Sequence, residues 1–237
     1  MENDITGIIL ETIRSRRSCR LFSAEPVPRE DLLTILEAGN CAPSPMNTQP
    51  WEFIVLAGEA LVHYRLTVLE WLETPQVSAE LFNTDGNLDE REIGTSILPR
   101  RLLDRKRKHL KRLSDHLAGL GLKLKDVFNT TFCGHNAPAL IMVIGDRVNR
   151  QHRRGLEVQQ ALAAAIQNML LAAHAMGYGA CWIGDMMRFG EKLHRYLDLE
   201  PEKELVGGVT IGKPMENLDL KQVPKLPVEG MIRWRGL

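Results

Sequence analysis

The stretch CAPSPMNTQPWEFIVLAG, residues 41–58, indicates a rigid loop that leads directly into a buried strand. Its prolines rule out regular structure before Trp51, because proline lacks the backbone donor that helices and sheets need. The apolar run from Trp51 ends at Gly58, which is typical of a short strand inside a core. Ser44, Asn47 and Gln49 are therefore polar groups held between prolines. This arrangement suits either fixed hydrogen bonds to a heterocycle or a turn that caps the strand.

Around this stretch, apolar spacing predicts a series of helices and strands. Helices are expected at about 4–16, 29–41, 59–73 and 156–176, with Gly177 ending the last one, and strands at 51–58, 137–146, 180–185 and 204–214. Early helices precede the first strand and a helical excursion of about 75–128 separates the first two strands, so the pattern favours α+β around a mixed sheet over a regular βαβ fold. We expect one domain over 1–237, with a C-terminal arm at about 215–237.

The excursion contains a long amphipathic segment, in which leucines recur from Leu103 to Leu124 at spacings of three, four or seven. Its other face carries RKRKHLKR, residues 105–112. This basic stretch is interpreted first as a solvated helix face. It could instead attract an anionic substrate or the phosphate of a ligand, or dock weakly on a membrane surface.

Composition excludes several classes of protein. Thirty basic residues balance thirty acidic ones, which argues against bulk nucleic-acid binding. No apolar run is long enough to span a bilayer, and the N-terminus MENDITGIIL lacks the basic character of a signal peptide. The four cysteines are scattered without a CxxC pair, so we expect reduced thiols and a cytoplasmic location.

A second conspicuous stretch is RSRRSCRLF, residues 14–22, which gathers four arginines near the end of a predicted helix. Cations at a helix end can simply be solvated there, where they offset the helix dipole. Arginine forks and a serine hydroxyl also match phosphate oxygens, so Arg16, Ser18 and Arg20 are candidates for an anion site.

No side-chain nucleophile, metal constellation or phosphate loop is visible in the sequence. CGH at 133–135 places Cys133 near His135 without a second ligand pair, and a core thiol beside a turn histidine is the better interpretation. If the protein is an enzyme, a cofactor is expected to supply the chemistry while the protein positions it.

Together these stretches resemble the nitroreductase family of flavin enzymes. The resemblance is carried by RRSCR (16–20), EPVP (25–28), the run from 30 to 55 that includes APSPMNTQPWEF, APALIMVIGD (137–146), QQALAAAIQNMLLAAHAMGYGACWIGDM (159–186) and VGGVTIGKP (206–214). It implies a nitroreductase-like α+β fold with a mixed, mainly antiparallel central sheet flanked by helices. It further implies an intertwined homodimer with FMN at the subunit interface.

The resemblance also implies roles for individual residues around FMN. Arg16, Ser18 and nearby Arg17 would bind the phosphate or ribityl chain, and Arg20 would face the N1/O2 edge of the ring. The partner subunit would cover the ring with residues of the proline-rich loop, namely Pro43, Ser44, Met46, Asn47 and possible contributor Gln49.

Two further elements follow from the same resemblance. The turn at Ile183, Gly184 and Asp185 would bring a backbone N–H, from Gly184 or Asp185, to flavin N5, so no catalytic side chain is implied. Lys225 would hold the phosphate, and Asn129 lies near the place of a family asparagine.

The implied reaction is ping-pong hydride transfer from NAD(P)H, through flavin N5, to a small-molecule acceptor such as a nitroaromatic or a quinone. Related branches remove halogen from aromatic substrates, fragment reduced flavin or oxidise azoline rings, and the sequence leaves the branch open. A non-catalytic flavin-binding protein is the other alternative.

Overall fold

The computed structural model describes residues 5–74, 99–215 and 224–236. Within these ranges the helices are α1 (Ile5–Ser15), α2 (Arg29–Asn40), α3 (Gly58–Glu73), α4 (Arg100–Gly119), α5 (Leu124–Asn129), α6 (Arg153–Ala175) and α7 (Glu191–Tyr196). The strands are β1 (Trp51–Ala57), β2 (Ala139–Asp146), β3 (Gly179–Ile183) and β4 (Lys203–Gly212). The predicted strands and the four helices outside the excursion are confirmed, with their ends displaced by a few residues at most.

The described strands form one sheet in the order β1-β2-β4-β3, and every pairing between them is antiparallel. Within the described residues, the parallel component of the predicted mixed sheet is a single bridge between Ser18 and Ala180. In the β1–β2 ladder, Ala57 lies opposite Ala139, so the inserted segment, residues 58–138, leaves and re-enters the sheet at one point. The predicted α+β fold with a mainly antiparallel sheet is confirmed.

Both faces of the sheet are covered, and β2 shows how its sequence achieves this. Ile141 and Val143 belong to a core formed with α2 and α6, whereas Leu140 and Met142 belong to a second core formed with α3 and the turns around Phe132 and Met186. Successive side chains of a strand point to opposite faces, so a strand buried on both sides must be apolar throughout. The uninterrupted run ALIMVIG of β2 meets that requirement.

The α2–α6 contact is close because one helix presents a glycine to the other. A Cβ added to Gly39 would lie 2.7 Å from Cγ of Met169, and Asn168 donates a hydrogen bond of 3.1 Å to the carbonyl of Ala38. The chain leaves α6 after Ala175 through Gly177, whose φ is 82°, and the N–H of Tyr178 donates a hydrogen bond back to the carbonyl of Ala173. This is the glycine-dependent C-terminal cap that the sequence predicted.

The excursion differs from its prediction in one respect. The leucine series does not continue in one helix to Leu124, because α4 ends at Gly119 and the chain turns at Gly121, whose φ is 75°. A separate short helix, α5, then begins at Leu124. The predicted turn-rich stretch at 75–88, and the start of the excursion as far as 98, lie outside the described residues. Helix α7 was not predicted.

Several apolar side chains of the described chain remain exposed. On α1 they are 41–71% exposed, and in the tail between 224 and 236 they are 37–69% exposed; the α1 set is Ile5, Ile8, Ile9, Leu10 and Ile13, and the tail set is Leu226, Val228, Met231, Ile232 and Trp234. Exposed apolar groups at this density are typical of surfaces that contact another molecule. None of the described helices has both the length and the apolar character needed to cross a bilayer.

Candidate functional site

Residues 16–20 lie along the outer side of β3, an arrangement that we call the cationic edge. Ser18 forms a parallel bridge with Ala180, and the N–H of Cys19 donates a hydrogen bond of 2.9 Å to the carbonyl of Ala180. Cys19 is buried. In extended backbone, alternate residues face opposite sides, so Ser18 and Arg20 share the side opposite to Cys19.

The arginines of the cationic edge act on buried groups around them. Burial raises the pKa of Cys181, and the positive charges of Arg20 and Arg16 together with a hydrogen bond from Ser18 only partly oppose it. Burial, and after it the positive charge of Arg20, lower the pKa of His135 to about 4, while a hydrogen bond from the imidazole to the backbone carbonyl of Val127 acts in the opposite direction. The neighbouring thiol and imidazole are therefore neutral near pH 7, and arginine supplies the charge of this edge.

Strand β3, which pairs with the cationic edge, leads into the turn at 183–185. Ile183 is buried, Gly184 is exposed, and the carboxylate of Asp185 accepts a hydrogen bond of 3.1 Å from the hydroxyl of Thr131. Arg188 lies 4.0 Å from the other oxygen of Asp185. Because Thr131 is itself buried, this contact ties the turn to the turn around Phe132 on the same side of the sheet.

The tail contributes a further cation to this side of the molecule. Lys225 is exposed, and its charge, with those of Arg20 and Arg112, acts on His109 of α4. The first cause of the lowered pKa of His109 is burial, and Arg20 and Lys225 come next. The sequence assigned Lys225 to the same group as the arginines but missed His109. The one feature of the sequence that could have indicated His109 is its position at the border of the apolar stripe of α4, beside Leu110 and Leu113.

The loop at 43–49, the proline loop, is built differently. The N–H of Gln49 donates a hydrogen bond of 3.0 Å to the hydroxyl of Ser44. Nε2 of Gln49 donates a hydrogen bond of 3.2 Å to the carbonyl of Asn47. Met46, Asn47 and Gln49 have φ between 46° and 58°, and the Met46 side chain is 96% exposed. The indole of Trp51 fixes the base of the loop, because it donates a hydrogen bond of 2.9 Å to Oδ1 of Asn40.

The remaining predicted residues divide between the two regions. Arg17 lies on the cationic edge, and the exposed Pro43 begins the proline loop. Asn129 is exposed at the end of α5, next to Thr130, whose hydroxyl is 3.2 Å from Nδ1 of His135. Their roles stay predictions. Cys133 and His135 are both buried, as expected for a core thiol beside a turn histidine. No three potential metal ligands of the described ranges come together.

Comparison with known protein families shows the family to which this chain belongs. The model of the nitroreductase family matches residues 13–213, which is most of the chain. The chain belongs to the nitroreductase family. The match contains the cationic edge, the proline loop and the turn at 183–185, whereas Lys225 lies beyond it.

Individual nitroreductases show how far the likeness extends. A 4-nitrobenzoate reductase of Nocardioides sp. is 26% identical over 203 residues, covering 84% of this chain and 78% of that protein. A 4-nitrobenzoate reductase of Pseudomonas putida is 24% identical over 234 residues, covering 94% of each. The structure of the FMN-dependent nitroreductase NfnB from Mycobacterium smegmatis in complex with NADPH superposes with a TM-score of 0.77 at 19% identity, covering 98% of this chain and all of that one.

Proposed function

We propose that this nitroreductase-family protein is an FMN-dependent oxidoreductase that passes hydride from NAD(P)H to a nitroaromatic, a quinone or another conjugated electrophile in two half-reactions. The observation that carries the proposal is the bridge between Ser18 and Ala180. It brings the phosphate-type donors of the cationic edge beside the strand that ends in the turn at 183–185. A dinucleotide or mononucleotide needs both a charged end and a polar ring contact on one surface.

The donor chemistry of the cationic edge fits FMN. Arg16 and Ser18 are half-buried donors suited to phosphate oxygens, with Arg17 beside them and Lys225 approaching from the tail. We assign Arg20 to the N1/O2 side of the ring, where a fixed cation stabilises negative charge. A side-chain nitrogen on the same side, Nδ1 of His109, is screened from solvent and unpartnered within the described ranges, which supports a polar ligand there.

FMN, when bound, supplies the hydride chemistry at its N5 atom. The chain would orient that atom through a backbone N–H of Gly184 or Asp185. The hydrogen bond from Thr131 to Asp185 supports this role, because it holds the turn in place without using its backbone donors. Solvent can supply the protons, so the assignment requires no acidic or basic side chain.

We further propose that the protein is a homodimer in which each proline loop completes the site of the other chain. The loop satisfies its own polar groups and presents Met46 outward, as expected of a surface prepared for a second molecule. The exposed apolar side chains of α1 and of the tail offer area for the same contact. In this assembly the chain acts as one domain and the tail is its arm.

The names of two relatives support a nitroaromatic acceptor, because both are 4-nitrobenzoate reductases. Such an acceptor is flat, which suits stacking over a flavin ring, and it carries a carboxylate. A cytoplasmic location is proposed with it, supported by four cysteines that are free.

The test is an anaerobic titration of the purified, FMN-loaded protein with NADPH and then NADH. The flavin absorbance should bleach, and 4-nitrobenzoate or a quinone should restore it in stoichiometric amount. A flavin that binds but never bleaches would instead identify a flavin-binding protein without turnover. A protein that takes up neither FMN nor riboflavin would refute the proposal.

A further inference from the structure

His109 has an unusual environment for a histidine on a basic helix. Its Nδ1 atom is screened from solvent and has no hydrogen-bond partner, and no other buried side-chain nitrogen or oxygen of the described ranges is in this state. Buried polar atoms are nearly always hydrogen-bonded, so an orphaned one marks a place where a partner belongs. The residue faces inward, unlike the exposed Lys108 and Lys111 on the same helix.

The charges around His109 come from three separate parts of the chain. Arg20 belongs to the cationic edge, Lys225 to the tail and Arg112 to α4, and all three disfavour protonation of the imidazole. Among the described residues, the groups that shift its pKa include no carboxylate. Of the described acidic residues on the elements nearby, Asp104 pairs with Arg107, Asp115 pairs with Lys111, and Asp126 of α5 is exposed. Within the described ranges, positive charge therefore accumulates beside His109 without a counter-ion.

We propose that His109, Arg20 and Lys225 together bind an oxyanion, with Nδ1 of His109 donating a hydrogen bond to one of its oxygens. Guanidinium and ammonium groups donate and never accept, so a ligand shared by these three must offer acceptor oxygens and negative charge. Phosphate and carboxylate both satisfy this requirement. The proposal rests on the proposed function, which offers one source of each. If the anion is the phosphate of FMN, Arg20 contacts that phosphate in place of the N1/O2 edge of the ring; if it is the carboxylate of an acceptor such as 4-nitrobenzoate, the assignment of Arg20 to the ring edge is kept.

This site would give α4 a role in binding, although its sequence is that of a solvated helix. Only one position of RKRKHLKR, the half-buried His109, would contact the ligand, while Arg112 strengthens the positive field. Arg107 pairs with Asp104, and the lysines of this stretch are exposed. Binding would also be linked to protons. An anion next to the imidazole favours its charged form and offsets Arg20, Lys225 and Arg112, so affinity should increase as the pH falls toward the pKa of bound His109.

The direct test uses inorganic phosphate and benzoate as probes and the imidazole NMR signals of His109 as readout. The signals are assigned by their loss in His109→Asn, and titrations are run on flavin-free and FMN-loaded protein. We expect saturable shifts of the His109 signals, a raised His109 pKa in the presence of anion, and unmoved signals for His116 on the same helix. Signals of His109 that respond to neither anion in either form would overturn the proposal.

The two forms of the protein identify the source of the anion. If the FMN phosphate occupies the site, inorganic phosphate should shift His109 only in flavin-free protein. If the acceptor carboxylate occupies it, benzoate should still shift His109 in FMN-loaded protein. Because inorganic phosphate needs no flavin, this experiment decides the role of His109 even if the protein proves not to use FMN.

Variants provide an independent measurement. His109→Leu removes the donor, His109→Asn keeps a donor at the position of Nδ1, and His116→Leu is the matched control. In the phosphate case, His109→Leu should raise the FMN dissociation constant about tenfold and leave that of riboflavin unchanged. In the carboxylate case, it should raise KM for 4-nitrobenzoate about tenfold, with kcat and the KM for nitrobenzene unchanged. His109→Asn should recover most of either loss, and wild-type values throughout for His109→Leu would contradict the proposal.

Discussion

The cationic edge and the proline loop carry most of the predicted site residues, yet the fold holds them in opposite ways. The cationic edge is bonded to the sheet through Ser18, Cys19 and Ala180, and its arginines act on buried neighbours. The proline loop is bonded to itself and exposes Met46 almost completely. The cationic edge packs against its own chain, whereas the proline loop has a fixed shape but no partner within the described residues. In the proposed homodimer, this difference would assign the arginine contacts of a site to one chain and the loop contacts to its partner.

The largest expected effect is on the pH dependence of the free energy of unfolding, and it arises beside the cationic edge. His135 lies beside the cationic edge, and its pKa is lowered to about 4 from an ordinary value of 6.5. The unfolded chain therefore binds this proton first, and the free energy of unfolding should fall by up to about 3 kcal/mol as the pH drops from about 6.5 to about 4. Urea titrations across this range measure the slope.

The variant His135→Asn tests the assignment, since asparagine accepts the positive φ of 50° at this position. Its stability should depend less steeply on pH over the same window. His116→Asn, the matched substitution on α4, should keep the wild-type dependence. An unchanged slope in His135→Asn would mean that another group governs acid unfolding.

The next effect concerns cofactor affinity. Arg20→Ala should raise the FMN dissociation constant about 30- to 150-fold, or about 2–3 kcal/mol, because it removes charge-assisted hydrogen bonds from a partly buried position. Fluorescence titration of flavin-free protein measures it. Arg14→Ala, at an exposed position of α1, should change the constant less than threefold. Equal effects of both substitutions would show that only the overall charge matters.

A third experiment tests whether the two regions of one site come from two chains. Asn47→Ala alone should weaken FMN binding about tenfold. A heterodimer of an Arg20→Ala chain and an Asn47→Ala chain should regain one high-affinity FMN per dimer, because one of its two sites then contains neither substitution. If each site belonged to a single chain, no high-affinity site would return, and the proposed exchange of loops would be wrong.

The smallest expected effect tests whether the turn at 183–185 orients the flavin. Thr131→Val removes the hydrogen bond to Asp185, so the turn should lose orientation while FMN stays bound. We expect the rate of flavin reduction by NADPH to fall about fivefold in stopped-flow measurements, with an FMN dissociation constant within twofold of wild type. Thr131→Ser keeps the hydroxyl and should restore the rate. A loss of FMN affinity instead would assign Thr131 a purely structural role.

The sequence predicted the parts of this fold that depend on local patterns. The run from Ala139 to Ile144 is apolar because both faces of β2 are buried, and Gly177 ends α6 because only glycine adopts that φ without strain. The break between α4 and α5 was missed, although Gly119 and Gly121 flank it, because leucine periodicity continues across the turn.

The site was predicted less completely, for a physical reason. The motif at 16–20 and the turn after β3 were assigned to one site, and the fold brings them to one edge. The sequence did not predict His109 as a site residue, because a histidine at the border of an apolar stripe has the same spacing whether solvent or a ligand covers it. Only the tertiary arrangement, with Arg20 and Lys225 nearby, distinguishes the two cases.

The pairing of Ala57 with Ala139 has a consequence for how this chain could diversify. Everything between those residues starts and finishes at neighbouring points of the sheet, so its length can change without shifting the register of β1 against β2. Additions or deletions there would leave the edge that carries Arg20 and Ser18 intact. The segment could therefore gain or lose length during evolution while the order of the strands stays the same.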